Sequence, residues 1–116
     1  MGFIERCAAI KGARIGDGAF SPGPAVWVGT REVAHFDGPG ELDVRLTRGA
    51  IHARRSELRN DDRVELRAGT SDWIRVRTRS QNDRDHAFTL VKDAVVANLP
   101  SARPSGSDLA RRRPFK

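Results

Sequence analysis

The sequence predicts an α+β domain: an antiparallel sheet of about five strands with helices packed on one face, in the order α-β-β-β-α-β-β-α. Three observations support this fold. Residues 41–46 alternate strictly between polar and apolar side chains, as half-buried antiparallel strands do. Residues 25–28 and 33–37 are β-rich runs around a short glycine-containing link, which predicts a hairpin. Apolar residues recur at spacings of three and four over residues 87–99, as in an amphipathic helix.

The other elements follow from local patterns. Residues 3–11 carry apolar side chains at helical spacing before a glycine, which predicts a short helix. Residues 16–24 contain three Gly and two Pro and are predicted to form a loop. A very short strand at 13–15 is considered just before this loop. A Gly-Pro-Gly link at 38–40 joins strand 33–37 to strand 41–46.

After the strand at 41–46, Thr47 is predicted to cap the start of a helix of about three turns. This helix is expected to end at residues 60–62. Alternating runs at 64–68 and 72–79 predict a second hairpin with its turn at 69–71. Ser80 and Asp83 resemble a capping pair at the start of the last helix, which Pro100 ends.

Length and composition limit the class of protein. The chain has 116 residues, enough for one domain, with 38% hydrophobic and 31% charged residues. This balance is typical of a soluble globular protein rather than a disordered chain, and no apolar run is long enough to cross a membrane. A single cysteine excludes an internal disulfide framework. We therefore expect a cytoplasmic protein that does not engage membranes.

The net charge of +6 is concentrated at the C-terminus. Residues 100–116 carry five basic side chains and one acidic side chain, whereas residues 1–99 carry 16 basic and 14 acidic ones. We expect a single α+β domain over residues 1–99 and a basic, disordered tail over 100–116. Such a tail either binds polyanions or serves only solubility.

The predicted hairpin register places two polar residues side by side. With the three-residue link at 38–40, Asp37 meets Glu41, so His35 meets Asp43 on the face away from the apolar side chains. Opposed Cβ atoms lie about 4.5–5.5 Å apart. A carboxylate at that distance can fix the imidazole tautomer. His35 and Asp43 are therefore the candidate catalytic residues if the protein is an enzyme.

The same face is expected to be open to solvent and to present an aromatic ring among arginines. A flat ring with forked donors suits an anionic, partly aromatic ligand. The candidate ligand-binding residues are Asp37, Arg45, Trp73, Arg75 and Arg77. In the alternative interpretation, the arginines pair with neighbouring carboxylates only to keep this face soluble.

No metal site and no cofactor are expected. His35, Asp37 and Asp43 could approach one ion, but their spacing matches no diagnostic motif. The glycine-containing run at 16–19 lacks the strand-loop-helix unit of a phosphate loop. Cys7 lies on the apolar side of the first helix and is predicted to be a small core residue.

A family resemblance adds to these patterns. It is carried by residues 32–47, with Glu32-x-Ala34-His35 before a short glycine link and an alternating strand, and by residues 69–76 and the final helix. These stretches resemble the luciferase-like, or luciferase domain-containing, family of small bacterial proteins over about residues 20–99. That label does not imply light-producing chemistry. The order of elements is also similar to that of the YjbR-like double-wing proteins, for which DNA binding has been suggested.

The leading functional hypothesis is a non-catalytic recognition domain. Its open sheet face would bind an anionic partner, either a phosphorylated small molecule or nucleic acid. This hypothesis is favoured because no nucleophile is paired with His35 and a flat sheet face excludes water poorly. The sequence does not determine the oligomeric state.

The alternative is a small cofactor-free enzyme. Asp43 would hold His35 as general acid and base, and Arg45 or Arg75 would stabilise negative charge. A ligand-sized cavity roofed by the 16–24 loop would favour this hypothesis. A third hypothesis is a protein-interaction module.

Overall fold

The chain folds as one antiparallel sheet with helices on its apolar side. A computed structural model describes residues 2–100, so the predicted tail lies outside the described residues except for Pro100. The elements in chain order are α1 (Phe3–Ala8), β1 (Arg14–Asp17), β2 (Pro24–Val28), β3 (Arg31–Phe36), β4 (Glu41–Arg45), α2 (Arg48–Ala53), α3 (Arg55–Arg59), β5 (Val64–Leu66), β6 (Trp73–Arg77) and α4 (Gln81–Asn98). Within residues 2–100, no helix combines the length and apolar character needed to span a membrane.

The strands lie in the order β1-β2-β3-β4-β6-β5, and every neighbouring pair is antiparallel. The predicted fold class is confirmed. The sheet has six strands rather than about five, because the short strand considered at 13–15 extends to Asp17 and pairs fully with β2. The single helix predicted after Thr47 is two helices, since the backbone leaves helical geometry at Arg54, with φ −118° and ψ 20°.

Two predicted helix starts are confirmed by their hydrogen bonds. Thr47 Oγ1 accepts from the Ala50 N–H at 3.2 Å, and Ser80 Oγ accepts from the Asp83 N–H at 3.0 Å. Each bond satisfies one of the backbone donors that a helix start leaves unpaired. These caps explain why α2 and α4 begin where the sequence predicts.

The core lies between the apolar face of the sheet and the helices. Leu42 and Val44 of β4 and Ile74 and Val76 of β6 are fully buried. The α4 residues in the same cluster are Ala87, Leu90, Val91, Ala94 and Val95. Burying one large aliphatic side chain contributes about 1.5–3 kcal/mol. This layer therefore fixes the strand register on which the opposite face depends.

Cys7 is a core residue of α1, as predicted. Burial raises the pKa of its thiol to about 12, although the charge of nearby Arg6 acts in the opposite direction. Because the thiolate is the reactive form, we expect iodoacetamide at about pH 8 to leave Cys7 unmodified in the folded protein. In urea, Cys7 should react readily. Mass spectrometry measures both rates, and equal rates with and without urea would contradict the buried position.

Candidate functional site

The predicted pairing of His35 with Asp43 is confirmed at the centre of the sheet. The two residues lie opposite each other in the β3–β4 ladder, and Asp43 Oδ2 is 3.1 Å from His35 Nε2. Both residues are nearly buried, with exposures of 5% and 7%. The expectation that this face is open to solvent is therefore wrong at its centre.

The loop between β1 and β2 covers this part of the face. Residues 18–23 close through a hydrogen bond from the Gly18 N–H to the Gly23 carbonyl at 2.9 Å. The loop carries Phe20, whose ring centroid lies 6.1 Å from that of His35 and 5.7 Å from that of Trp73. Position 18 requires glycine, because a Cβ there would lie only 2.5 Å from a backbone carbonyl of the same loop.

A third residue, Glu32, also reaches the site. Strict alternation along β3 would place Glu32 on the apolar face. However, two consecutive residues of β2 pair with Ala34 and Glu32, which leaves Val33 as the extra residue of a β-bulge. The bulge turns Glu32 to the side of His35, where it is only 2% exposed. Alternation could not reveal this; the available signal was the Glu32-x-Ala34-His35 spacing.

Both carboxylate oxygens of Glu32 have partners. Oε2 makes a short contact with Nδ1 of His35, and Oε1 accepts the backbone N–H of Ala19 at 2.5 Å. The imidazole thus lies between Glu32 at Nδ1 and Asp43 at Nε2. Both nitrogens donate at once only in the imidazolium form. With Nδ1 held by a buried carboxylate, Nε2 is the nitrogen at which a proton can be exchanged.

Asp43 also holds two arginines. Its Oδ1 accepts from Arg67 Nη2 and from Arg75 Nε, each at 3.0 Å. Arg75 additionally donates to Glu41 at 3.2 Å and to Asp37 in a shorter contact. The hydrogen bond to Asp43 raises the pKa of Arg75 above its ordinary value. These charge-assisted bonds hold the guanidinium groups in defined positions beside the histidine.

Trp73 is half-buried rather than exposed. Its ring centroid lies 5.2 Å from that of His35. Arg45, directly across the ladder, places its guanidinium carbon 5.0 Å from the Trp73 ring centroid, and burial lowers the pKa of this arginine. Arg77 turns away from the site, because its Nε donates to Asp83 of α4 at 3.3 Å.

A cavity of about 260 Å³ opens between the loop and the sheet. Its lining residues are Phe20, His35, Asp37, Asp43, Arg67, Ser71, Trp73 and Arg75. Five of the seven predicted site residues are thus brought together, whereas Arg45 and Arg77 lie outside the lining. Phe20, Arg67 and Ser71 were not among the predicted site residues. The volume lies just below the roughly 300–1,000 Å³ of ligand pockets.

The carboxylates around His35 do not form a metal centre. Glu32 and Asp43 contact opposite nitrogens of the same ring, so the three side chains do not converge on one point. In the part of the chain that the structure describes, no group of three or more His, Cys, Asp or Glu side chains is arranged to hold a metal ion. The arrangement instead suits proton transfer at the imidazole.

A family model described as Luciferase domain matches residues 30–94. The match runs from β3 into α4, so it includes Glu32, His35, Asp43 and Trp73 and excludes the loop at 18–23. No curated protein and no solved structure matches the chain.

Proposed function

This chain belongs to the Luciferase domain family, and we propose that it is a small enzyme in which His35 transfers a proton to or from a small planar acid. One observation carries the proposal: the imidazole is held between two carboxylates at the wall of a cavity that Phe20 of the loop partly covers. A roofed cavity was the feature expected to favour catalysis over recognition.

His35 would act as the general base. Glu32 accepts the Nδ1 proton and keeps it in place, so Nε2 takes up the hydrogen of the substrate. In the structure Nε2 lies 3.1 Å from Asp43 Oδ2, so the proton shared there must pass to Asp43 before Nε2 can accept the hydrogen of the substrate. The proton returns from Nε2 in the reverse step, so the histidine is regenerated. Positioned acid and base catalysis of this kind contributes about 10²–10⁴-fold to a rate.

The arginines would stabilise the anion that proton removal creates. Arg67 makes one hydrogen bond to Asp43, and its side chain is 39% exposed, so part of its donor fork can face the cavity. Arg75 lies beside it with its position fixed by carboxylates. Donors aimed at developing negative charge lower a barrier because their positions are already fixed before the reaction.

The aromatic walls define the substrate class. Phe20, His35 and Trp73 form one packed cluster with ring centroids 5.2–6.1 Å apart, so a flat ring in the cavity would find aromatic surface on one side. We therefore propose a planar, ionisable substrate with one or two rings.

The side chains alone supply this proton transfer, so we propose a cofactor-free reaction. We further propose that the protein acts in the cytoplasm.

Recognition of an anionic ligand is the second candidate function. Within residues 2–100, Arg45 makes no salt bridge, and its guanidinium stacks on Trp73. A cation beside a flat ring suits a phosphorylated ring compound or a nucleic-acid base. In this case His35 would have only a structural role.

Hydrogen exchange on two probe compounds tests the proposal. Phenylpyruvate and phenylacetone share an aromatic ring and an exchangeable benzylic hydrogen, but only phenylpyruvate carries a carboxylate. In deuterium oxide we expect the protein to accelerate deuterium uptake into both compounds, with the larger effect on phenylpyruvate because the arginines meet its anion. Proton NMR follows the exchange and reports binding in the same samples. Binding without accelerated exchange would favour recognition, and the absence of both would reject the proposed substrate class.

A further inference from the structure

One carboxylate joins the loop at 18–23 to the imidazole of His35. Glu32 Oε1 accepts the backbone N–H of Ala19, and Oε2 contacts His35 Nδ1. We propose that Glu32 is a positioning residue that couples closure of this loop to the orientation of His35. The inference rests on the proposed function and adds how the site is assembled: the loop closes over the substrate and, in closing, completes the hydrogen bonding of the base.

The coupling follows from the burial of Glu32. A buried carboxylate is tolerated only while its oxygens have hydrogen-bond partners. If the loop lifts, Oε1 loses the Ala19 N–H and water takes its place. Water then also reaches the contact between Oε2 and His35 Nδ1. The loop position and the histidine hydrogen bond are therefore linked, and linkage acts in both directions.

The loop has few other attachments to the sheet. Ser21 Oγ donates to the Phe36 carbonyl at a long 3.4 Å. Phe20 packs against His35 and Trp73 but remains 63% exposed. Its apolar burial therefore stabilises the closed loop less than that of a fully buried phenylalanine would. The bond between Ala19 and Glu32 is therefore the main polar contact that holds the loop down.

A ligand would add to that attachment. A ring in the cavity gives Phe20 a second apolar surface to cover, which favours the closed loop. Glycines stand at both ends of the loop, and Gly23 has a positive φ of 99°. Closure of such a loop can assemble a catalytic site around the bound substrate.

The test changes the loop without touching His35. Gly18→Ala places a Cβ 2.5 Å from a loop carbonyl and should undock the loop. Gly49→Ala is the matched control, because a Cβ at position 49 meets nothing within 4 Å. With isotope-labelled histidine, NMR reads the solvent exchange of the His35 Nδ1 proton, and the His35→Gln spectrum identifies its signal among the three histidines.

We expect Gly18→Ala to speed exchange of that proton by about tenfold or more, as local opening does. It should also shift the ring nitrogens in the same direction as Glu32→Gln, whereas Gly49→Ala should match the wild type. An unprotected Ala19 amide together with an unchanged His35 signal would overturn the coupling. If the Ala19 amide of Gly18→Ala stays protected from solvent exchange, the loop has not opened. A second variant, in which two glycines replace residues 19–22, then removes the loop, and it must show the same faster exchange of the His35 Nδ1 proton.

This measurement uses no substrate, so it is independent of the test of the proposed function. Failure of the coupling leaves proton transfer by His35 intact. Failure of hydrogen exchange on phenylpyruvate leaves the link between the loop and His35 intact.

Discussion

Replacing His35 with Gln is expected to slow deuterium exchange on phenylpyruvate by about 10²–10⁴-fold while leaving its binding nearly unchanged. Glutamine keeps a planar hydrogen-bonding side chain but cannot take up the proton. The cavity walls and the arginines remain, so the substrate still binds. Proton NMR measures the exchange rate, and a titration of the same samples measures the affinity. His52→Gln is the control, because His52 is exposed on α2 and should behave as the wild type.

Trp73→Ala separates catalysis from recognition. If the protein only binds, loss of the stacking surface should cost about 1–3 kcal/mol of affinity, and His35→Gln should matter much less. If the protein is an enzyme, His35→Gln has the larger effect on exchange. Should both variants bind and exchange like the wild type, His35 and Trp73 serve only the structure of the sheet and the proposal fails.

Replacing Leu42 with Ala is expected to lower the free energy of unfolding by about 2–5 kcal/mol. Leu42 is fully buried on a central strand, between Phe36 on β3 and Val76 on β6. Removal of its side chain loses apolar burial and leaves a cavity that neighbours in a sheet cannot readily fill. Urea denaturation followed by circular dichroism measures the change.

Val96→Ala provides the control for this prediction. Val96 is 60% exposed on α4, so its truncation should change the free energy of unfolding by less than about 0.5 kcal/mol. Equal losses for the two variants would contradict the central position of Leu42 in the core.

The amino-acid sequence by itself determined the fold class and the main polar pair. Alternation over residues 41–46 identifies a strand with one buried face, and a one-residue slip would bury its charged side chains. The length of the Gly-Pro-Gly link then sets the hairpin register, so the neighbourhood of His35 and Asp43 follows from counting residues. Both features are local, and local patterns are what a sequence records most directly.

Only the tertiary structure decided what surrounds that pair. The β-bulge at Val33 brings Glu32 to His35, and counting alternate residues assigns Glu32 to the wrong face. The loop brings Phe20 across a face expected to be open, and α4 draws Arg77 away through Asp83. Each of these contacts joins segments that are distant in the chain or that depart from regular geometry. These contacts depend on how the segments pack and on the requirement that buried charges have hydrogen-bond partners. The periodicity of the sequence contains no information on either.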